Sequence, residues 1–171
     1  MIWVTLISLT IFLVYNIVAI SLFGVPYSLS GTYYLFKDKG YLFTIMMIVV
    51  FGLLIVPWMY MSTHINVLGN YLSVLPFISC TTCMFVGIAP NIQSSKRIEK
   101  IHTISALVGA IAAILWIFIV CWKICYVIPI CILIFGSIAH LTKTAKSSRD
   151  YWIEMCVIIP VFICVIWGLL Q

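Results

Sequence analysis

The run from Tyr41 to Met61, YLFTIMMIVVFGLLIVPWMYM, contains no Lys, Arg, Asp or Glu. Several other stretches of the chain are similarly apolar over roughly 18 residues or more, enough as helix to cross about 30 Å of hydrocarbon. No other feature limits the fold so tightly. The chain is 65% apolar and 8% charged over 171 residues, too few polar side chains to cover a water-soluble globule of that size. The expected class is all-α: one polytopic transmembrane bundle of six helices, with both termini on the non-cytoplasmic side.

The six expected spans are about 1–23, 41–61, 65–89, 101–122, 124–141 and 151–170. Pro76, Pro129 and Pro160 fall inside three of them, where each removes a backbone donor and favours a kink. The three loops on one side, Gly24–Gly40, Pro90–Lys100 and Thr142–Asp150, carry Lys37, Lys39, Lys96, Arg97, Lys100, Lys143, Lys146 and Arg149. The other side has Lys123 alone. Cytoplasmic loops are enriched in Lys and Arg, so the three basic loops are assigned to the cytoplasm, in a plasma or inner membrane. An odd number of spans would mix the two sets. Trp3, Trp58, Tyr60, Tyr71, Trp122 and Trp152 lie near expected span ends, as interfacial anchors do.

The net charge of +5 does not point to nucleic acid, because the basic residues are spread over short loops with no aromatic-interleaved stripe. The seven cysteines, 80, 83, 121, 125, 131, 156 and 164, lie within or beside apolar runs and read as small hydrophobes. Cys80 and Cys83 form a CxxC, but deep in the third span, away from the helix N-terminus that lowers a thiol pKa. No internal repeat marks a transporter built from sequence-evident halves. A retained first helix, not a cleaved signal, is expected, since MIWVTLISLT has no basic leader.

The ionisable residues that remain converge at one end. His102 opens the fourth span on a face shared with Ser105, Gly109 and Ala113, a row of small residues that lets another helix approach, within the chain or in a homo-oligomer. His140 closes the fifth span. Asp150 and Glu154 share a face at the start of the sixth. An acid one turn inside a span needs a partner, and by depth the nearest are His102 and His140, with Lys146 or Arg149 as alternatives. The first loop adds Ser28, Ser30, Thr32, Tyr33 and Tyr34, shaped by Pro26 and Gly31; Asn91 and Gln93 lie in the second. The candidate polar cluster is therefore His102, His140, Glu154, Asp150, Ser30 and Thr32.

Three functions are compatible with that cluster. One is a non-enzymatic, lipid-associated regulatory or assembly factor whose partners are membrane lipids and which needs no cofactor. A second is a metal-dependent intramembrane lipid hydrolase with zinc on His102, His140 and Glu154 or Asp150, although no HExxH spacing is present. A third is a small transporter or channel with Asn16 and the proline kinks along a polar path. The first is the expectation adopted here.

The segment Gly87-Ile88-Ala89-Pro90, then His102, Ala106 and Gly109, together with Pro26-Tyr27-Ser28-Leu29-Ser30 after the first span, resembles the DRAM-like superfamily of six-span membrane proteins, including its uncharacterised bacterial members. Gly31 stands where that family often has an acid, and Ala89 where it has an aromatic residue. The resemblance implies a membrane-embedded regulator or lipid-associated protein, with His102 at the family's marker position.

Overall fold

The computed structural model describes residues 1–65, 69–88 and 96–171. The expected roles of Pro90, Asn91 and Gln93 fall outside these residues, as does the Ala89-Pro90 end of the third span. Six longer helices make up the chain: α1 (Ile2–Phe23), α2 (Tyr41–Ile65), α3 (Val74–Ile88), α4 (Lys96–Val120), α5 (Val127–Leu141) and α6 (Arg149–Leu169). Short helical turns at Thr32–Leu35, Lys37–Lys39, Gly69–Leu72 and Trp122–Ile124 join some of them. No strand is present among the described residues.

Among the described residues, five segments are long and apolar enough to cross a membrane: Ile2–Phe23, Lys37–His64, Lys100–Val120, Trp122–Leu141 and Arg149–Leu169. The third helix is the exception to the sequence reading. In place of one helix over 65–89, α2 continues to Ile65, and α3 proper has 15 residues. At 1.5 Å per residue it rises about 22 Å, short of a full hydrocarbon crossing of about 30 Å.

The prolines act differently from expectation as well. Pro76 and Pro129 each occupy the third position of their helix. A first-turn residue has no intrahelical acceptor for its N–H, so neither proline breaks a hydrogen bond there. Among the described residues, Pro57 and Pro160 alone lie in helix interiors, where each denies a donor to the carbonyl four residues back.

The polarity of α1 is inverted relative to a helix of a water-soluble protein. Its buried residues are Thr5, Ser8, Phe12, Asn16 and Ala19. Trp3, Ile7, Val14, Ile17 and Leu22 point outward. Small and polar side chains inside with large apolar ones outside is the arrangement suited to hydrocarbon surroundings, where packing and interhelical hydrogen bonds select the contact face.

Those bonds link the bundle in sequence. Ser8 Oγ donates to the Val50 carbonyl at 2.7 Å, joining α1 to α2. Thr44 Oγ1 donates to the Gly87 carbonyl at 2.8 Å, joining α2 to α3. Ser79 Oγ donates to the Gly109 carbonyl at 3.0 Å, joining α3 to α4. Tyr151 Oη donates to Asn16 Oδ1 at 2.9 Å, closing α6 onto α1, while the Asn16 amide nitrogen donates to the Phe12 carbonyl at 2.8 Å. Asn16 is thus occupied by a structural clasp and does not line a polar path. Helix α2 is central, and α5 packs chiefly on α6.

Two glycines set the closest approaches. A Cβ on Gly87 would come within 2.6 Å of Met47 Cβ, and one on Gly109 within 2.5 Å of Thr82 Oγ1. The small-residue row on α4 is therefore engaged inside the chain, against α3. Trp58 also departs from its expected interfacial place. It is fully buried, edge-to-face with Trp116 at 5.2 Å between ring centroids. Trp116 Nε1 donates to Ser62 Oγ, which in turn donates to the Trp58 carbonyl. Trp3, Tyr60, Tyr71 and Trp122 are exposed, as anchors require.

Gly87→Ala should lower stability by about 1–3 kcal/mol, because a Cβ cannot swing away from Cβ without moving a helix. Gly109→Ala should cost less, since the Thr82 hydroxyl can rotate. Gly136→Ala, where nothing lies within 4 Å, should be neutral or stabilising by up to about 1 kcal/mol. Thermal unfolding of the three purified variants in detergent checks that order, and equal midpoints would contradict it.

Candidate functional site

The loop after α1 is the first component of the site. Gly24 ends α1 at φ 76°, a left-handed conformation that glycine adopts without steric cost. The chain then runs along the start of α6. Ser148 Oγ donates to the Val25 carbonyl at 3.0 Å. The Tyr151 amide donates to the Tyr27 carbonyl at 3.0 Å. The Leu29 amide donates to Glu154 Oε2 at 2.6 Å. Alternate residues of this loop, 25, 27 and 29, thus meet residues 148, 151 and 154, which follow one another at about one helical turn on a single face. The loop then turns back. The Gly31 amide donates to Ser28 Oγ at 3.0 Å, and Thr32 Oγ1 donates to the Leu29 carbonyl at 2.6 Å while bonding Tyr15 Oη at 2.6 Å.

This strap closes one end of a cavity of about 450 Å³. Its walls follow single faces of four helices at helical spacing. Helix α2 contributes Phe43, Met47, Phe51, Leu54 and Trp58; α4 contributes Thr103, Ala106, Leu107, Ala110 and Ala113. Ser79, Cys83 and Val86 come from α3, and Ile153, Val157, Ile158 and Val161 from α6. The strap end is polar, with Ser30, Asp150 and Glu154. From Phe43 to Trp58 the α2 wall extends about 22 Å. Leu107 is 58% exposed and Ile153 55% exposed, so the cavity opens between α4 and α6.

Four of the six residues expected to cluster belong to this end of the molecule. Glu154, Asp150 and Ser30 line the cavity, and Thr32 braces the strap from behind. The two histidines stand apart. The His102 imidazole hydrogen-bonds the Val86 carbonyl, and its Nδ1 has no partner among the described residues. His140 is exposed at the end of α5. The partner of Glu154 is accordingly a backbone amide and not an imidazole. Arg149 pairs with Asp150 at 3.3 Å on the surface. Among the described residues no cation lies within ion-pair distance of Glu154. Asp150 also accepts from the Tyr27 phenol, and this bond together with the carboxylate's charge raises the Tyr27 pKa above its usual 10.0.

Zinc does not fit these residues. Among the described residues no three His, Cys, Asp or Glu side chains are grouped to hold a metal ion, and His102, His140 and Glu154 have the separate surroundings just given. The cysteines are free; Cys80 is in the core and Cys83 on the cavity wall. What the arrangement can do is hold an elongated apolar molecule with a polar group placed against two carboxylates. No family model, curated protein or solved structure matches the chain.

Replacing Glu154 tests the strap directly. Glu154→Leu leaves the Leu29 amide unpaired, at a cost of about 1–3 kcal/mol, and should speed hydrogen exchange at that amide. Glu154→Gln keeps an acceptor and should retain most of the protection. Exchange measured by mass spectrometry on peptides covering residues 25–32 distinguishes the two.

Proposed function

We propose that this chain is a non-enzymatic integral membrane protein of the DRAM-like type, a lipid-associated regulatory or assembly factor that holds an apolar ligand between its helices. It crosses a plasma or inner membrane six times, α3 together with the helical turn Gly69–Leu72 before it making one of the crossings, with the basic loops cytoplasmic and both termini outside. The observation that carries the reading is the cavity between α2, α3, α4 and α6: apolar along its length, polar at one end, and open between two helices whose outer faces are apolar. Ligand pockets of a few hundred Å³ with mostly apolar walls and few polar groups are the usual form of a small-molecule site. A binding role is favoured over hydrolysis by the location of the imidazoles, neither of which lines the cavity.

Gentle purification followed by extraction and mass spectrometry should recover about one tightly held amphiphile per chain. Ala110→Trp, which fills the cavity from the α4 wall, should lower that amount severalfold while helix content is kept. Equal lipid content in the two proteins would overturn the reading. Orientation is checked separately: epitope tags at either end should be reached by external antibody on intact cells, and tags detected only after permeabilisation would reverse it.

A further inference from the structure

The electrostatics of the cavity narrow its ligand. Among the described residues the charged side chains that line it are Asp150 and Glu154, and no Lys or Arg does. Glu154 uses Oε2 to accept the Leu29 amide, and among the described residues its Oε1 has no hydrogen-bond partner. A carboxylate at the edge of an apolar space is costly without a cation or a set of donors. Here the chain provides one donor, and its nearby arginine is engaged outside, on Asp150.

A second observation lies at the other end. Trp58 is fully buried and lines the cavity, yet its indole N–H has no partner among the described residues. That N–H is shielded from the cavity, so this end presents only ring and apolar side chains and suits the hydrocarbon end of a ligand.

We infer that the cavity takes an amphiphile with an ammonium head, the head resting between Glu154, Asp150 and the Ser30 hydroxyl and one hydrocarbon chain lying along Phe43, Met47, Phe51 and Leu54 toward Trp58. This inference rests on the lipid-binding reading above and names its ligand class. An ammonium donates up to three hydrogen bonds and carries the charge that Glu154 lacks. An anionic head, phosphate or carboxylate, meets two like charges, of which Asp150 alone has a paired basic residue among the described residues. Entry is lateral, between Leu107 and Ile153, so the hydrocarbon chain need never leave an apolar medium. The ammonium can belong to a free long-chain amine or to an ethanolamine lipid headgroup.

The test uses the full chain in phosphatidylcholine nanodiscs and three probes of equal chain length: hexadecylamine, hexadecanol and hexadecyl sulfate. Each carries bromine near the end of the chain, so that quenching of Trp58, obtained by difference from Trp58→Phe, reports a chain lying in the cavity. Hexadecylamine should bind at least about tenfold more tightly than the alcohol, as a charge-assisted hydrogen bond provides, and the sulfate more weakly than both. Glu154→Gln, which keeps an acceptor for Leu29, should remove most of the preference for the amine and leave the alcohol unchanged. Asp150→Asn, on the surface turn, should reduce the preference partly, and serves if Glu154→Gln does not fold. Amine and alcohol binding alike, or a preference untouched by both substitutions, would overturn the inference while leaving an apolar ligand site in place. Failure of every probe to quench Trp58 would overturn the lipid-binding reading too. Loss of amine binding in discs containing phosphatidylethanolamine, against phosphatidylcholine alone, would identify the headgroup as the natural source of the ammonium; unchanged binding would identify the free amine.

Discussion

Where almost every helix face is apolar, apolar area cannot determine which faces meet. The choice falls to the few polar side chains and to the places where a missing Cβ lets two backbones come close. In this chain Ser8, Thr44, Ser79 and Tyr151 each bond across a helix pair, and Gly87 and Gly109 fix the two tightest crossings. Net worth per bond is modest, about 0.6 kcal/mol on average in one membrane protein. Their value lies in specificity, since a wrong register would leave a hydroxyl or an amide facing apolar neighbours.

The cavity follows from the same rule. Helices α2, α3 and α4 are drawn together by Thr44–Gly87 and Ser79–Gly109, whereas α6 is tied mainly to α1 and to the strap through Asn16, Val25, Tyr27 and Leu29. A seam is left between α6 and the α2–α4 group. Large side chains from α2 line it on one side and smaller ones from α4 on the other, so the seam is not filled.

The helices themselves were readable in advance because an uninterrupted apolar run admits few other structures. Their number within the bundle was less so: α3 is short because Gly69–Leu72 forms a separate turn after an α2 that runs on to Ile65, and the helix-ending residues between them, Asn66, Gly69 and Asn70, sit in an otherwise apolar stretch that hydropathy reads as continuous. Pro76 and Pro129 were expected to kink helices. They start them instead, a distinction that depends on boundaries that hydropathy leaves loose by several residues. Glu154 was recognisable as an acid in need of a partner, but the partner is the amide of Leu29, and every residue except proline carries one. Phe43, Met47, Phe51, Leu54 and Trp58 gave no warning, because a stripe of large apolar residues looks the same whether it meets another helix or an open space. Ser105, Gly109 and Ala113 did announce a close helix contact; Gly109 meets it in α3 of the same chain.

The strap also bears on how the protein is made. Its three anchors on α6 lie more than a hundred residues downstream, with Leu29 and Glu154 separated by 125 positions. At bacterial or eukaryotic elongation rates that interval lasts on the order of ten seconds. During it the first hairpin emerges from the ribosome with the Val25 and Tyr27 carbonyls and the Leu29 amide still without their final partners. A later segment therefore locks an earlier one, and a nascent chain halted before Glu154 would carry an unfinished turn after α1 for quality-control proteases to find.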